Sequence, residues 1–105
     1  MQIIRQDQLP SNELEGHTQG VGISIILIDA PPGSGPALHQ HHYEEVFIVQ
    51  EGRATFTAGD EERDAHGGEI VIVPPDTPHK FVNSGNSRLR QIAIHVSPHF
   101  VTEWL

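Results

Sequence analysis

The chain has 105 residues, no cysteine, eight histidines and a formal net charge of −8. Its length fits one domain, residues 1–105, able to bury its own core, and the lack of thiols excludes disulfides, cysteine nucleophiles and iron–sulfur clusters. Six scattered basic residues against fourteen acidic ones argue against nucleic acid as a partner, because phosphate binding needs clustered Lys and Arg.

Met1 to Pro10 is mixed and polar, unlike a signal peptide. Apolar runs such as Ile25 to Ile28 are far too short to cross a bilayer. The expectation is a soluble, cytoplasmic protein with no membrane partner. Met1 to Arg5 and Leu14 to Thr18 read as short strands. Val21 to Asp29 is β-branched and nearly continuous, as in a strand buried on both faces. Ala30 to Pro36 is a Gly/Pro loop, after which Ala37 to His41 resumes extended structure. Glu44 to Gln50 is a strand with Glu45, Phe47 and Val49 on one face, closed by a turn at Gly52. Arg53 to Thr57 alternates as a half-exposed strand does. Ala58-Gly59-Asp60 is a hairpin turn, and Glu61 to His66 is a polar edge strand. Glu69 to Val73 reads as a short buried strand. The proline-stiffened loop Pro74 to Pro78 delivers His79, and His79, Phe81 and Asn83 share one face of the next strand. Leu89 to Val96 is the last strand, and Phe100 to Leu105 a terminal turn. About nine or ten short strands, and no apolar period of 3.6 residues, predict an all-β sandwich or barrel with little helix.

His39 and His41 lie two residues apart, which puts both imidazoles on one face of an extended segment, ~7 Å apart at the Cα atoms. Both reach one ion at bond lengths of ~2.0–2.2 Å. Glu45 keeps the same parity and adds a carboxylate, whereas His42 and Glu44 face outward. His79 arrives from a distant loop as a fourth donor. Burying such donors beside apolar strands is costly unless something binds them. Two His and a carboxylate suit iron, and manganese, nickel, zinc and copper are also compatible. Phe47 and Phe81 read as barrel filling. His95, opposite in parity to Ile92, Ile94 and Val96, is either an acid/base group at the barrel mouth or a surface residue. Trp104 reads as packing at one barrel end.

The two donor-bearing stretches also carry longer patterns. The first is Gly33-x5-His39-x-His41-x3-Glu45-x6-Gly52. The second is Gly68-x5-Pro74-x-Asp76-x2-His79-x3-Asn83. Together these resemble the two motifs of the cupin superfamily. The second departs at Asp76, where the family pattern has glycine. Asp tolerates turn conformations that most residues resist, so the loop is expected to survive. The resemblance implies a small single jelly-roll β-barrel, a monocupin, with His39, His41, Glu45 and His79 binding one divalent metal. It also implies a tendency to homodimers, formed partly through N-terminal strands. Asn83, a motif position, reads as structural.

The resemblance does not select a reaction. One expectation is a small metal-dependent enzyme, of oxygenase or isomerase/lyase type, acting on an oxygen-rich carboxylate or enol. Glu45 and His95 are then the catalytic candidates. The other is a non-catalytic small-molecule binding or sensor module.

Overall fold

The computed structural model describes residues 1–105. Ten strands are present: β1 Glu13–Leu14, β2 Ser24–Ala30, β3 His39–Gln40, β4 Glu45–Glu51, β5 Arg53–Ala58, β6 Glu61–His66, β7 Ile70–Val73, β8 His79–Asn83, β9 Leu89–His95 and β10 Glu103–Trp104. The only helical pieces are three short 3-10 turns at Gln6–Gln8, Pro10–Asn12 and Gly16–Thr18. No helix is long and apolar enough to cross a membrane. The strands form two five-stranded antiparallel sheets, ordered β1-β2-β9-β4-β7 and β10-β3-β8-β5-β6. They face each other as a jelly-roll barrel.

Strand alternation builds the interior in three layers. The uppermost holds Glu45 paired with His95 and Val73 in one sheet, and His79 paired with His39 and Ala58 in the other. Below it, Phe47 pairs with Ala93, and Phe56 with Phe81. These three phenylalanines pack with ring centroids 5.0–5.8 Å apart and plug the barrel beneath the histidines. Burial of such a ring is worth roughly 3–5 kcal/mol against alanine. The lowest layer holds Val49 beside Gln91, and Ala54 beside Asn83. Asn83 is buried, and its amide bonds to Ala30 O, Ser87 O and Gly85 N–H.

The chain changes sheets between β4 and β5 at Gly52, whose φ is 89°. A Cβ there would lie 2.5 Å from Arg88 O, so only glycine fits. Asp76 adopts φ 57°, the left-handed conformation that the family glycine would take freely. The departure from the motif therefore leaves the loop intact.

Several expectations are corrected. Met1 to Arg5 is irregular and exposed and pairs with no strand of either sheet. Leu14 to Thr18 is not one strand: β1 stops at Leu14 and a 3-10 turn follows. Gly16 packs so tightly on the next segment that a Cβ would sit 2.0 Å from Ile23 O. Val21 to Asp29 starts late, at Ser24, and its outward residues Ile25 and Leu27 are only half-buried. Glu69 to Val73 is an edge strand with Ile70 and Ile72 exposed, not a buried one. The expected turn at Phe100 to Leu105 is instead β10, which pairs with β3 and sets Trp104 opposite His39. Glu61 to His66 is an edge strand, as expected.

Candidate metal centre

Four donors converge at one end of the barrel because β3, β4 and β8 all begin there. His39 opens β3, Glu45 opens β4 and His79 opens β8, each with its side chain inward. His41 lies just past the end of β3, before a bend at His42 and Tyr43, and Asp76 N–H holds its carbonyl at 2.7 Å. The second motif loop thus clamps the first. One ligand atom from each of His39, His41, Glu45 and His79 lies within 4.8 Å of the others, and all four residues are buried. His42 points outward, with its Nδ1 2.6 Å from Asp76 Oδ1, and Glu44 is not among the converging donors.

The hydrogen bonds fix the ring orientations. Nδ1 of His39, His41 and His79 meets the carbonyls of Ala37, Val101 and Thr77 at 2.7, 2.8 and 2.8 Å. A carbonyl only accepts, so each Nδ1 carries the proton and each neutral ring keeps its Nε2 lone pair for the interior. Nε2 of His41 and of His79 each stand 3.1 Å from Glu45 Oε1. The His41 contact is not aligned as a hydrogen bond, and His41 Nε2 has no partner. Lone pairs aimed at a carboxylate oxygen repel unless protons or a cation lie between them.

Protons alone are a poor solution here. The rings of His39, His41 and His79 lie 4.3–5.4 Å apart, so several imidazoliums would repel in a buried site. Burial lowers the pKa of His39, and the neighbouring His79 and His41 lower it further. For His41, burial is outweighed by the Glu45 carboxylate and the Val101 carbonyl, which hold it above the usual histidine range. For Glu45, burial is overcome by His41, His79 and His95, which hold the carboxyl well below its usual range. A divalent cation fits this donor set and satisfies the orphaned nitrogen.

His95 resolves toward the interior: it is 3% exposed and sits on the inner face of β9. Its Nε2 lies 3.2 Å from Glu45 Oε2, and its Nδ1 2.8 Å from the Tyr43 hydroxyl. That hydroxyl accepts from Val101 N–H at 3.2 Å, leaving the phenol proton for His95 Nδ1. His95 is therefore assigned the opposite tautomer, with Nε2–H facing Glu45 Oε2. It holds the carboxylate from behind rather than joining the four donors. Nothing in the spacing of Tyr43 links it to a strand face, so the sequence carries no signal for this role.

Above the donors opens a cavity of about 330 Å³. Its apolar wall includes Ile26, Ile28, Phe100 and Trp104, Phe47 closes its inner end, and the histidines and Glu45 supply its polar side. Trp104 does more than cap the barrel, since its ring packs 5.1 Å from that of His39.

The cupin domain family model matches residues 26–95, and the chain belongs to that family. An uncharacterized protein of Methanocaldococcus jannaschii is 34% identical over 82 residues, which is 77% of this chain and 66% of that protein. The match thus spans just under two thirds of that relative's length. Among solved structures, a cupin-like protein from Thermotoga maritima aligns with a TM-score of 0.79 at 24% identity, covering 89% of this chain and 72% of that one. A point mutant of Bacillus subtilis oxalate decarboxylase gives a TM-score of 0.79 at 21% identity, covering 89% of this chain and 27% of the larger one. At these identities the likeness establishes the fold.

Proposed function

We propose that His39, His41, Glu45 and His79 hold one divalent transition metal (iron, manganese, nickel, zinc or copper) and that the protein is a small metal-dependent enzyme acting on a carboxylate or enol. The observation that carries this is the set of three imidazoles whose Nδ1 atoms are engaged by backbone carbonyls, leaving three Nε2 atoms for one point beside Glu45. When bound, the metal supplies a Lewis acid with open positions for substrate oxygen atoms. The chain's own residues do the rest. His95 anchors Glu45 Oε2, so that Oε1 faces the donors. Tyr43 fixes the tautomer of His95. The apolar wall keeps water from the polar side, and a cavity of about 330 Å³ limits the ligand to a small molecule. An oxalate decarboxylase shares this fold, which supports a small carboxylate as the substrate class.

One observation favours the second reading, a binding or sensor module. His95, the acid–base candidate beside the donors, has its Nδ1 taken by the Tyr43 hydroxyl and its Nε2 3.2 Å from Glu45 Oε2. Metal-loaded protein incubated with small carboxylates and enols, with and without dioxygen, separates the two. Product formation abolished by His95→Gln or by metal removal establishes the enzyme; tight binding without product establishes the sensor.

A homodimer belongs to the same proposal, with a second copy of this chain as the occupant of the outer face of the β2-β9-β4-β7 sheet. Ile25, Ile94, Val46 and Ile72 form one cross-strand row on that face, and Leu27, Ile92, Ile48 and Ile70 the next. Four strands at a spacing of ~4.8 Å make this surface ~19 Å wide. Neither row carries a charge in a chain of net −8, so it is the face through which two anionic copies approach without repulsion.

A further inference from the structure

Outside the barrel, two loops from opposite ends of the sequence bring a second donor set together. Ligand atoms of Glu15, His17 and His99 all lie within 4.8 Å of one another. His17 Nε2 stands 3.2 Å from Glu15 Oε1, and His99 Nδ1 3.9 Å from Glu15 Oε2. The two imidazoles stack with centroids 4.3 Å apart and planes inclined by 23°.

The backbone beneath these side chains is fixed. His17 N–H donates to Pro98 O at 2.8 Å. The buried Ser24 hydroxyl accepts from Gly16 N–H at 2.9 Å and donates to Ser97 O at 2.8 Å, so one side chain ties both loops. Phe100 N–H holds Glu15 Oε2 at 3.0 Å, and Ser97 Oγ accepts from His99 N–H at 3.1 Å. The donors themselves are partly exposed, at 46% for His17, 34% for Glu15 and 56% for His99, which leaves room for water as a further ligand.

We propose that Glu15, His17 and His99 form a second, external site for a divalent cation of the zinc class, and that filling it staples the C-terminal segment across the mouth of the cavity. Two imidazoles and a carboxylate are a donor set that zinc accepts, with water completing the tetrahedron. Bonds of ~2.0–2.2 Å draw the three donor atoms to about 3.4 Å from one another, which requires the stacked rings to turn apart about their side-chain bonds, a movement open to exposed side chains. The two imidazoles face different oxygens of the same carboxylate, His17 toward Oε1 and His99 toward Oε2, so both rings and the carboxylate already border one point. His99 immediately precedes Phe100, whose ring meets that of His95 edge-on at 5.0 Å and lines the cavity. Thr102 and Trp104 of the same segment line it too. Cation binding at His99 therefore restrains the wall through which a ligand must pass. The proposal is independent of which reaction the inner site performs.

The test is equilibrium dialysis against zinc at about pH 7.5, where histidine is mostly neutral, on the wild type, the double variant His17→Gln/His99→Gln and His41→Ala. The double variant changes only exposed side chains and is expected to fold. Wild-type protein should bind one zinc more than the double variant. Zinc added to His41→Ala, whose inner donor set is broken, should shift the backbone amide signals of His99 and Phe100, and the same addition should leave them unmoved once His17→Gln and His99→Gln are also introduced. A double variant that binds as much zinc as the wild type overturns the external site. The patterns for the two sites differ: a single zinc lost in His41→Ala and kept in the double variant removes the external site alone. A single zinc lost only in the double variant removes the inner one and sustains this proposal.

Discussion

Replacing Asn83 with alanine deletes the side chain that closes the lower end of β8. Its Nδ2 donates to Ala30 O and to Ser87 O, both at 2.9 Å, and its Oδ1 accepts from Gly85 N–H at 3.0 Å. The residue is 1% exposed, so water cannot readily replace these bonds. Each is worth about 1 kcal/mol net, and an orphaned buried partner costs at least that much, which puts the loss at about 3 kcal/mol. At ~4 °C per kcal/mol for a chain of this size, Tm falls by about 12 °C. The assay is urea and thermal unfolding, with metal content measured on the folded variant at low temperature. Metal content is expected to hold, because Asn83 lies four residues along β8 from His79, ~13 Å away. A destabilisation under about 0.5 kcal/mol, or a stable variant that no longer holds metal, would refute the structural role given to this motif position.

Asp76→Gly restores the residue of the family pattern at φ 57°. Relief of backbone strain is set against a freer unfolded chain and the lost His42–Asp76 contact, so unfolding midpoints should move by less than about 1 kcal/mol, with metal content unchanged. Acidification of metal-free protein should destabilise it in two stages. The folded pKa of His39 is lowered, so the unfolded chain protonates first and stability declines as pH falls below about 6.5. The folded pKa of Glu45 is lowered as well, so its contribution, present above about 4.3, is lost as pH falls further. Urea midpoints from pH 7 to 4.5 check the first stage and midpoints from about pH 4.3 down to about pH 2 the second; a profile flat across either window contradicts the stage assigned to it. Ile72→Lys places a charge on the exposed β7 side of the apolar sheet face and should convert a dimer to a monomer in light scattering, with the barrel still folded. A wild-type protein that is monomeric at high concentration refutes the proposed interface.

Much of the fold was legible in residue parity and punctuation. The spans His79 to Asn83 and Glu61 to His66 stand in the structure as the sequence implied, because period-two alternation and Gly turns are local signals. The failures share a cause. Whether Ile70 and Ile72 are covered depends on which strand lies beside β7, and no window of sequence encodes that. The same holds for Trp104, whose strand exists only because β3 offers an edge. At the site, parity set Glu45 apart from Glu44 and His41 apart from His42, and the structure buries Glu45 and His41 although residues 41–44 lie outside any strand, with a bend at His42 and Tyr43. What converges there is set by the clamp from Asp76 as much as by alternation. The sequence leaves His95 between mouth and surface because its inward direction follows from its pairing with Glu45, a contact fifty positions away in the chain. The roles of Tyr43 and of the three backbone carbonyls that orient the rings have no sequence signature at all, since carbonyls are present at every residue.

The central claim is that the four buried donors hold a metal, and elemental analysis of purified protein beside His41→Ala tests it most directly. About one equivalent of a divalent transition metal in the wild type, greatly reduced in a His41→Ala variant that still folds as an all-β protein, is the expected result. No stoichiometric metal in the wild type, even after incubation with iron, manganese, nickel, zinc and copper, would contradict it.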